Sequence, residues 1–402
     1  MLKGQDIICI SSADWDAPLW TNKQHLMSRL ADSNRVLYVE SVGLRRPTLA
    51  QTDRERIVRR IRHFAEGPRK VPGKNLYILS PLVIPFYQTS WLRWLNGALL
   101  LSEVHRTARR LKMTHPILWS YIPNAYALTH RLNEKLTVYH CVDDLGSIAG
   151  IPSHAVKQME QKFLTAADAV ITTSQALFET RKDANPNTYL FTNVADAEHF
   201  GKALRADIPL AAAMRTITHP IAGYVGALDA YKVNFPFLAE VAKALPHWSF
   251  VLVGPVGQGQ PSTDLGALKE LPNVHLIGWV DYREIPSYLK GFDVALIPHH
   301  LSDYTTASFP MKLYEYLAAG LPVVSTPLPA IADVDLVAFA DTPDAFATAI
   351  LTVAKDNSQE KIRWRVDEAK QHTWEARLQS FDQVLERVYQ AKMHGSVPKP
   401  GE

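Results

Sequence analysis

The sequence predicts an α/β protein made of two doubly wound, Rossmann-like domains, and three observations predict it. Short apolar runs rich in β-branched residues recur, each followed by a segment of helix length. The runs are continuously apolar rather than alternating, which marks strands covered on both faces, as in parallel sheets. The whole series occurs twice, and repeated strand–helix–strand units build doubly wound sheets.

In the first half the strand-like runs are Ile7–Ile10, Val36–Val39, Leu76–Leu79, Ile117–Trp119, Leu136–Val142 and Ala169–Thr172. In the second they are Ile221–Val225, Phe250–Val253, Val274–Ile277, Val294–Ile297 and Val323–Val324. Helical segments between them include Lys23–Leu30, Trp91–Leu111, Ser153–Thr165, Phe235–Leu245 and Arg283–Leu289. A break without strand signal follows Phe200 (GKALRADIPLAAAMRTITH), so the domains are expected at about 1–200 and 215–370. Over Trp374–Ala391 the residues Leu378, Phe381, Val384, Leu385, Val388 and Tyr389 recur at helical spacing. The segment 371–402 is therefore a terminal helix, of the second domain or returning to the first.

Composition narrows the function classes. Of 402 residues, 47% are hydrophobic and 21% charged, the balance of a folded globular chain. A net charge of +3 gives no global attraction to nucleic acid. Cys9 and Cys141 lie in buried-strand runs, which argues against a disulfide framework and for a reducing compartment. The first residues, MLKGQDIICISS, lack a signal-peptide core, and no window reaches the apolar length of a spanning helix. A cytoplasmic location is expected, with a peripheral place on the inner membrane face as the open extension.

Two such domains in tandem favour a ligand in the cleft between them, at the carboxyl ends of the strands. The most informative segment is DVALIPHHLSDYTTASFPMKLYEYLAAGLPVVST, Asp293–Thr326. It reads as a strand, a polar loop, a helix opening near Pro310 and a stop at Gly320. Free N–H groups at a helix start favour a diphosphate. Lys312 in the first turn goes against the helix dipole, which points to an anionic partner. Glu315, one turn on, can accept hydrogen bonds from ribose hydroxyls. The plain alternative is a surface lysine paired with a glutamate three residues on.

This stretch resembles the donor-binding region of glycosyltransferases with the two-domain GT-B architecture, which commonly carry a glutamate where Glu315 stands, then small residues and G-x-P-V-(V/I). Many retaining members have a second glutamate eight positions earlier; here that position is Ala307. Ser308, Phe309, Met311 and Lys312 look more like the bacterial exopolysaccharide and teichuronic-acid transferases, including xanthan-type glucuronosyltransferases. There the Met-Lys pair lies against the nucleotide and phosphates. Ile221–Asn234 (IAGYVGALDAYKVN) resembles the first strand of the family's second domain, with Gly223-x-x-Gly226 allowing close phosphate approach. Lys232 takes the family's lysine position, whereas Ala227 replaces its arginine. Gly254-Pro-Val-Gly257-Gln-Gly259 reads as a flexible loop, and Asn193 and Asp196 as a structural stretch before the linker.

On the acceptor side, the strand Leu136–Val142 delivers Asp143 and Asp144 at its carboxyl end. Adjacent carboxylates repel, which can raise one pKa and suit base catalysis; the plain alternative is a turn cap. The resemblance makes Asp143 the base, with Asp144 in reserve. His140 is open to a core or a cleft position. In SSADWDAPLWTNKQH the residues Asp14, Trp15, Asp16 and His25, with Trp20, make an acceptor platform by stacking and hydroxyl recognition, while packing serves equally for Trp15.

Residues 41–75 hold ten basic residues (Arg45, Arg46, Arg54, Arg56, Arg59, Arg60, Arg62, Arg69, Lys70, Lys74) against three acidic ones, a local +7. The neighbouring helix carries Trp91, Trp94, Leu95 and Leu99 with a basic end, a pattern that fits an anionic lipid surface as well as a solvated loop beside a core helix.

The resemblance implies transfer from a UDP-linked sugar, with UDP-glucuronate a candidate, to a lipid-linked or polysaccharide acceptor in cell-surface glycan synthesis. Inversion is favoured over retention by the missing glutamate, and no metal or other cofactor is expected. A nucleotide-sugar epimerase of the same architecture is the first alternative, distinguished by turnover without acceptor. A non-enzymatic sugar-binding protein is the second.

Overall fold

The structure, a computed structural model, describes residues 1–40, 62–64, 66–82, 89–148 and 151–395. The chain forms two compact units, Met1–Thr192 together with the segment from Leu378 onward, and Asn193–Arg377. The boundary thus falls at Thr192/Asn193, and the sequence's strand-free break lies inside the second unit, where it holds the short helical turns Lys202–Leu204 and Ala212–Met214.

The first unit is an eight-stranded sheet in the order β3-β4-β2-β1-β5-β6-β7-β8. Its strands are β1 (Asp6–Ile10), β2 (Arg35–Val39), β3 (Arg69–Lys70), β4 (Leu76–Leu79), β5 (Ile117–Ser120), β6 (Leu136–Cys141), β7 (Ala169–Thr172) and β8 (Thr188–Leu190). All pairings are parallel except β3 with β4. Strand β1 pairs with β2 on one side and β5 on the other, Ile7 lying opposite both Val36 and Ile117. The chain order reverses there, so the carboxyl end of β1 opens onto a topological switch point. Strands β1, β5, β6 and β7 are buried almost throughout, which is why they read as unbroken apolar runs.

The second unit is a six-stranded, wholly parallel sheet in the order β11-β10-β9-β12-β13-β14. Its strands are β9 (Ile221–Val225), β10 (Ser249–Val253), β11 (Val274–Gly278), β12 (Val294–Ile297), β13 (Val323–Ser325) and β14 (Val337–Phe339). Here β9 lies between β10 and β12 and makes the second switch point. Local chemistry sets the helix ends. Asn234 caps Phe235–Ala244 by accepting from the Phe237 amide at 3.1 Å. Ser174 caps Gln175–Arg181 by accepting from Leu177. Gly320, at φ +72°, ends Lys312–Ala318 in the left-handed region.

The terminal helix Trp374–Met393 begins in the second unit and from Leu378 belongs to the first. Phe381, Val384, Leu385 and Val388 are its buried stripe, with Phe381 packed on Trp119, His140 and Phe191. Its salt bridges from Asp382 to the N-terminal ammonium and from Lys392 to Asp168 tie the same helix to that unit.

Candidate active site

In the second unit the site grows from two glycine turns. Strand β9 ends at Gly226 (φ +139°) and β10 at Gly254 (φ +146°), conformations that a side chain rarely adopts. A Cβ on Gly254 would fall on the carbonyl of Gly226, so the two strand ends touch backbone to backbone. A Cβ on Gly226 would lie 2.5 Å from Nζ of Lys312. Gly226 is bare because the lysine from the helix Lys312–Ala318 crosses over it. The pairing of Gly223 with phosphate approach does not hold: Gly223 is mid-strand, and the space of its missing side chain is filled by the Phe292 ring.

Lys312 also stands 5.2 Å over the ring of Tyr224. Burial, and then Lys232, push its ammonium down to about 7, while Glu315 and Asp229 pull the other way. Burial raises the Glu315 carboxyl, opposed by Lys312 and Lys232. The structure therefore gathers Gly226, Lys232, Lys312 and Glu315 around one spot at the carboxyl end of β9. Among the described residues, no hydrogen bond or ion pair satisfies the ammonium of Lys312 or the carboxylate of Glu315.

Three neighbours escaped the sequence reading. Asp229 is buried, and its Oδ1 accepts from the amides of Gly259 and Gln260 at 2.9 and 3.0 Å. Gln260 in turn accepts from the Tyr231 amide, and Leu228 donates to Pro255. The Gly254–Gly259 stretch, expected as a flexible loop, is instead laced to the turn after β9. His299, after β12, is the third: it is buried, burial holds its imidazole well below the usual range, and Lys232 and Lys312 deepen the effect. None of these contacts is between sequence neighbours, and only an Asp close to a glycine-rich strand end hinted at them.

Phe309 departs from its expected role. Its ring is buried and stacked on Tyr314 at 5.5 Å, so it packs the core instead of a nucleotide. Its carbonyl accepts from Asn193 Nδ2 at 2.8 Å, while Asp196 caps the helix Ala197–Gly201. Ser308 and Met311 lie partly buried in the turn leading to Lys312.

In the first unit Asp143 and Asp144 follow β6. Asp144 accepts from Ser147 Oγ at 2.7 Å and pairs with Arg181 at 3.5 Å, so it holds the turn Leu145–Ser147. Asp143 lies within electrostatic reach of Lys23, a lysine missed from sequence. Lys23 is buried on the helix Asn22–Leu30, 5.8 Å over the Tyr121 ring, and burial lowers its basicity while Asp143 raises it. His140 is a core residue, packed on Trp119, Tyr121 and Phe381.

The aromatic platform is corrected as well. Trp15 is 6% exposed, wedged between Trp20 and Tyr38 with centroids 5.0 Å from each, and its amide donates to Glu40. A ring buried between two others, tilted to one and edge-on to the other, has no open face for a sugar. His25 is buried against Trp20, and Asp16 is an exposed partner of Arg69. The Asp14 carbonyl accepts from Gln24, which fixes the loop to the helix Asn22–Leu30.

Of the basic stretch, Arg45, Arg46, Arg54, Arg56, Arg59 and Arg60 lie outside the described residues. Arg62, Arg69 and Lys74 are paired with Glu66, Asp16 and Asp32. Trp91 and Trp94 are 65% and 73% exposed. Among the described residues, no helix is long and apolar enough to cross a membrane, and no group of three or more His, Cys, Asp or Glu residues is placed to hold a metal ion.

Comparison with known proteins bears on both units. Residues 219–356 match the family described as Glycosyl transferases group 1. A putative teichuronic acid biosynthesis glycosyltransferase, TuaH of Bacillus subtilis, is 26% identical over 110 residues, which cover 27% of each chain. The aligned part thus spans about a quarter of that relative. Among solved structures, sucrose-phosphate synthase of Thermosynechococcus elongatus superposes with a TM-score of 0.69 at 17% identity, over 96% of this chain and 100% of that one. Anabaena HepE in complex with UDP gives 0.64 at 13%, over 95% and 99%. With its two mostly parallel sheets the chain has the GT-B fold, and the part that holds Gly226, Lys232, Lys312 and Glu315 is similar to the group 1 glycosyl transferases.

Proposed function

We propose that this chain transfers a glycosyl group from a UDP-linked sugar to a lipid-linked or polysaccharide acceptor in cell-surface glycan synthesis. One observation carries the reading: two lysines and a carboxylate gather at a side-chain-free turn at the carboxyl end of β9. Lys312 and Lys232 hold the diphosphate and stabilise the charge that develops as it leaves. Glu315 holds the ribose hydroxyls. Asp143 takes the proton of the acceptor hydroxyl, whose oxygen attacks the anomeric carbon while the UDP oxygen departs with the bonding electrons, inverting the centre. The UDP complex of HepE and the teichuronic-acid role in the name of TuaH support donor and pathway class. The Met311-Lys312 pair supports UDP-glucuronate as the donor. The exposed Trp91 and Trp94 support contact of the first unit with a lipid surface.

The relatives named above are a transferase, a synthase and a UDP-bound protein, and none of the three is named an epimerase, so epimerisation is the weaker reading. The test is a thermal-shift panel of UDP, GDP, ADP and their sugars, UDP-glucuronate included. Stabilisation by the uridine set alone is expected. No stabilisation by any nucleotide sinks the reading, and sugar turnover without acceptor replaces transfer by epimerisation.

A further inference from the structure

Behind the two aspartates lies a buried ionic cluster to which the reaction assigns no part. The Arg181 guanidinium, 7% exposed, binds Glu160 through Nη2 at 3.1 and 3.2 Å and through Nε at 3.3 Å. Tyr139 donates its hydroxyl to the same Glu160 oxygen at 2.8 Å. A largely buried pair with this many bonds is held in one geometry, because breaking a bond leaves a charge poorly compensated. From this anchor Arg181 reaches Asp144 Oδ1 at 3.5 Å, while Ser147 Oγ donates to Asp144 Oδ2 at 2.7 Å. Asp144 is gripped at both oxygens. The backbone on its other side is held too: the carbonyl of Asp143 accepts from the Leu145 amide at 3.1 Å and contacts the Cys141 thiol at 3.7 Å.

We infer that the two aspartates divide their labour: Asp144, clamped by Arg181 and Ser147, is a positioning residue that fixes the turn and so aims the Asp143 carboxylate at the acceptor hydroxyl. This rests on the reading of Asp143 as the base. A base must be held within a few tenths of an ångström of its proton for full effect, and a single 3-10 turn, Leu145–Ser147, needs an outside anchor to do so.

The experiment compares Asp144→Ala, Asp144→Asn, Ser147→Ala and Asp143→Asn in transfer assays, with UDP affinity and pH profile as second readouts. Asp144→Ala is expected to lower kcat at least tenfold, leaving the UDP Kd, the donor KM and the shape of the kcat–pH profile unchanged. Asp144→Asn, which can satisfy one of the two partners, recovers part of the loss. Should Asp144→Ala fail to fold, Ser147→Ala removes a single hydroxyl bond and is expected to lower kcat with the same signature. Wild-type kcat in Asp144→Ala or Ser147→Ala, beside an inactive Asp143→Asn, overturns the positioning role alone. A loss of the pH-dependent limb in Asp144→Ala makes Asp144 the base and overturns it too. Wild-type kcat in Asp143→Asn overturns the base assignment on which the inference rests.

Discussion

Replacing Lys312 by methionine keeps the stem that lies over Gly226 and Tyr224 and removes only the charge. In the free protein burial and Lys232 push this ammonium well below the usual lysine range, to about 7. An arriving diphosphate favours the charged form, and binding therefore takes up a proton. The sign follows: affinity is highest below pH 7, where the proton is already present, and falls as pH rises above 7, by up to about tenfold per unit while the complex stays protonated. A charge-assisted hydrogen bond contributes about 1.5–3 kcal/mol, so Lys312→Met is expected to weaken UDP roughly ten- to a hundredfold. The same substitution acts oppositely on the free protein. An unfolded lysine stays protonated to about pH 10, so between about 7 and 10 the unfolded chain binds more protons than the folded one, and the buried lysine costs stability at neutral pH. Lys312→Met without nucleotide is thus expected to melt higher than the parent. At UDP equal to a hundred times the parent Kd, ligand stabilisation is about 2.7 kcal/mol for the parent and about 0.9 kcal/mol for a variant thirtyfold weaker. Calorimetry in two buffers of different ionisation enthalpy reads the proton uptake, and thermal shift reads both stability effects. Unchanged UDP affinity in Lys312→Met, or a parent Kd constant from pH 6 to 9, refutes the reasoning.

Asp143→Asn should bind UDP like the parent and lose about a hundred- to ten-thousandfold in kcat, the usual worth of a general base; a weakened UDP Kd would contradict its role. Gly254→Ala places a methyl on the Gly226 carbonyl at a φ of +146°, so unfolding should show a loss of at least about 2 kcal/mol, and an unchanged melting curve would disprove the backbone contact. Replacing Trp91 and Trp94 together by serine should leave the melting temperature alone, since both rings are mostly exposed, yet reduce co-sedimentation with phosphatidylglycerol vesicles; equal sedimentation removes the lipid contact.

Much of the fold was legible because parallel strands buried on both faces must be apolar without interruption, and runs such as Ile7–Ile10, Ile221–Val225 and Val294–Ile297 stand out for that reason. The short strands β3, β8 and β14, two or three residues each and less buried, carry no such run and passed unseen. The terminal helix was readable from its stripe, but the stripe has no address: Phe381 against Trp119 and His140, with the salt bridges of Asp382 and Lys392, gives it to the first unit. Lys312 and Glu315 could be paired on sequence because three residues on a helix share a face.

By itself, then, the sequence determined what depends on near neighbours: the strands and helices, two domains, and the Lys312–Glu315 face with its GT-B resemblance. Tertiary structure alone decided what depends on residues far apart in the chain. It set Gly226 beneath Lys312, 86 positions on, and tied Asp229 to Gly259. It buried Trp15 and Phe309, whose apolar rings would suit a sugar or base as readily as a core. It also separated Asp143 from Asp144, identical side chains on adjacent residues, by giving the second a buried arginine from another helix. Burial and electrostatic partnership are properties of the folded surroundings, and no local pattern encodes which of two like residues will receive them.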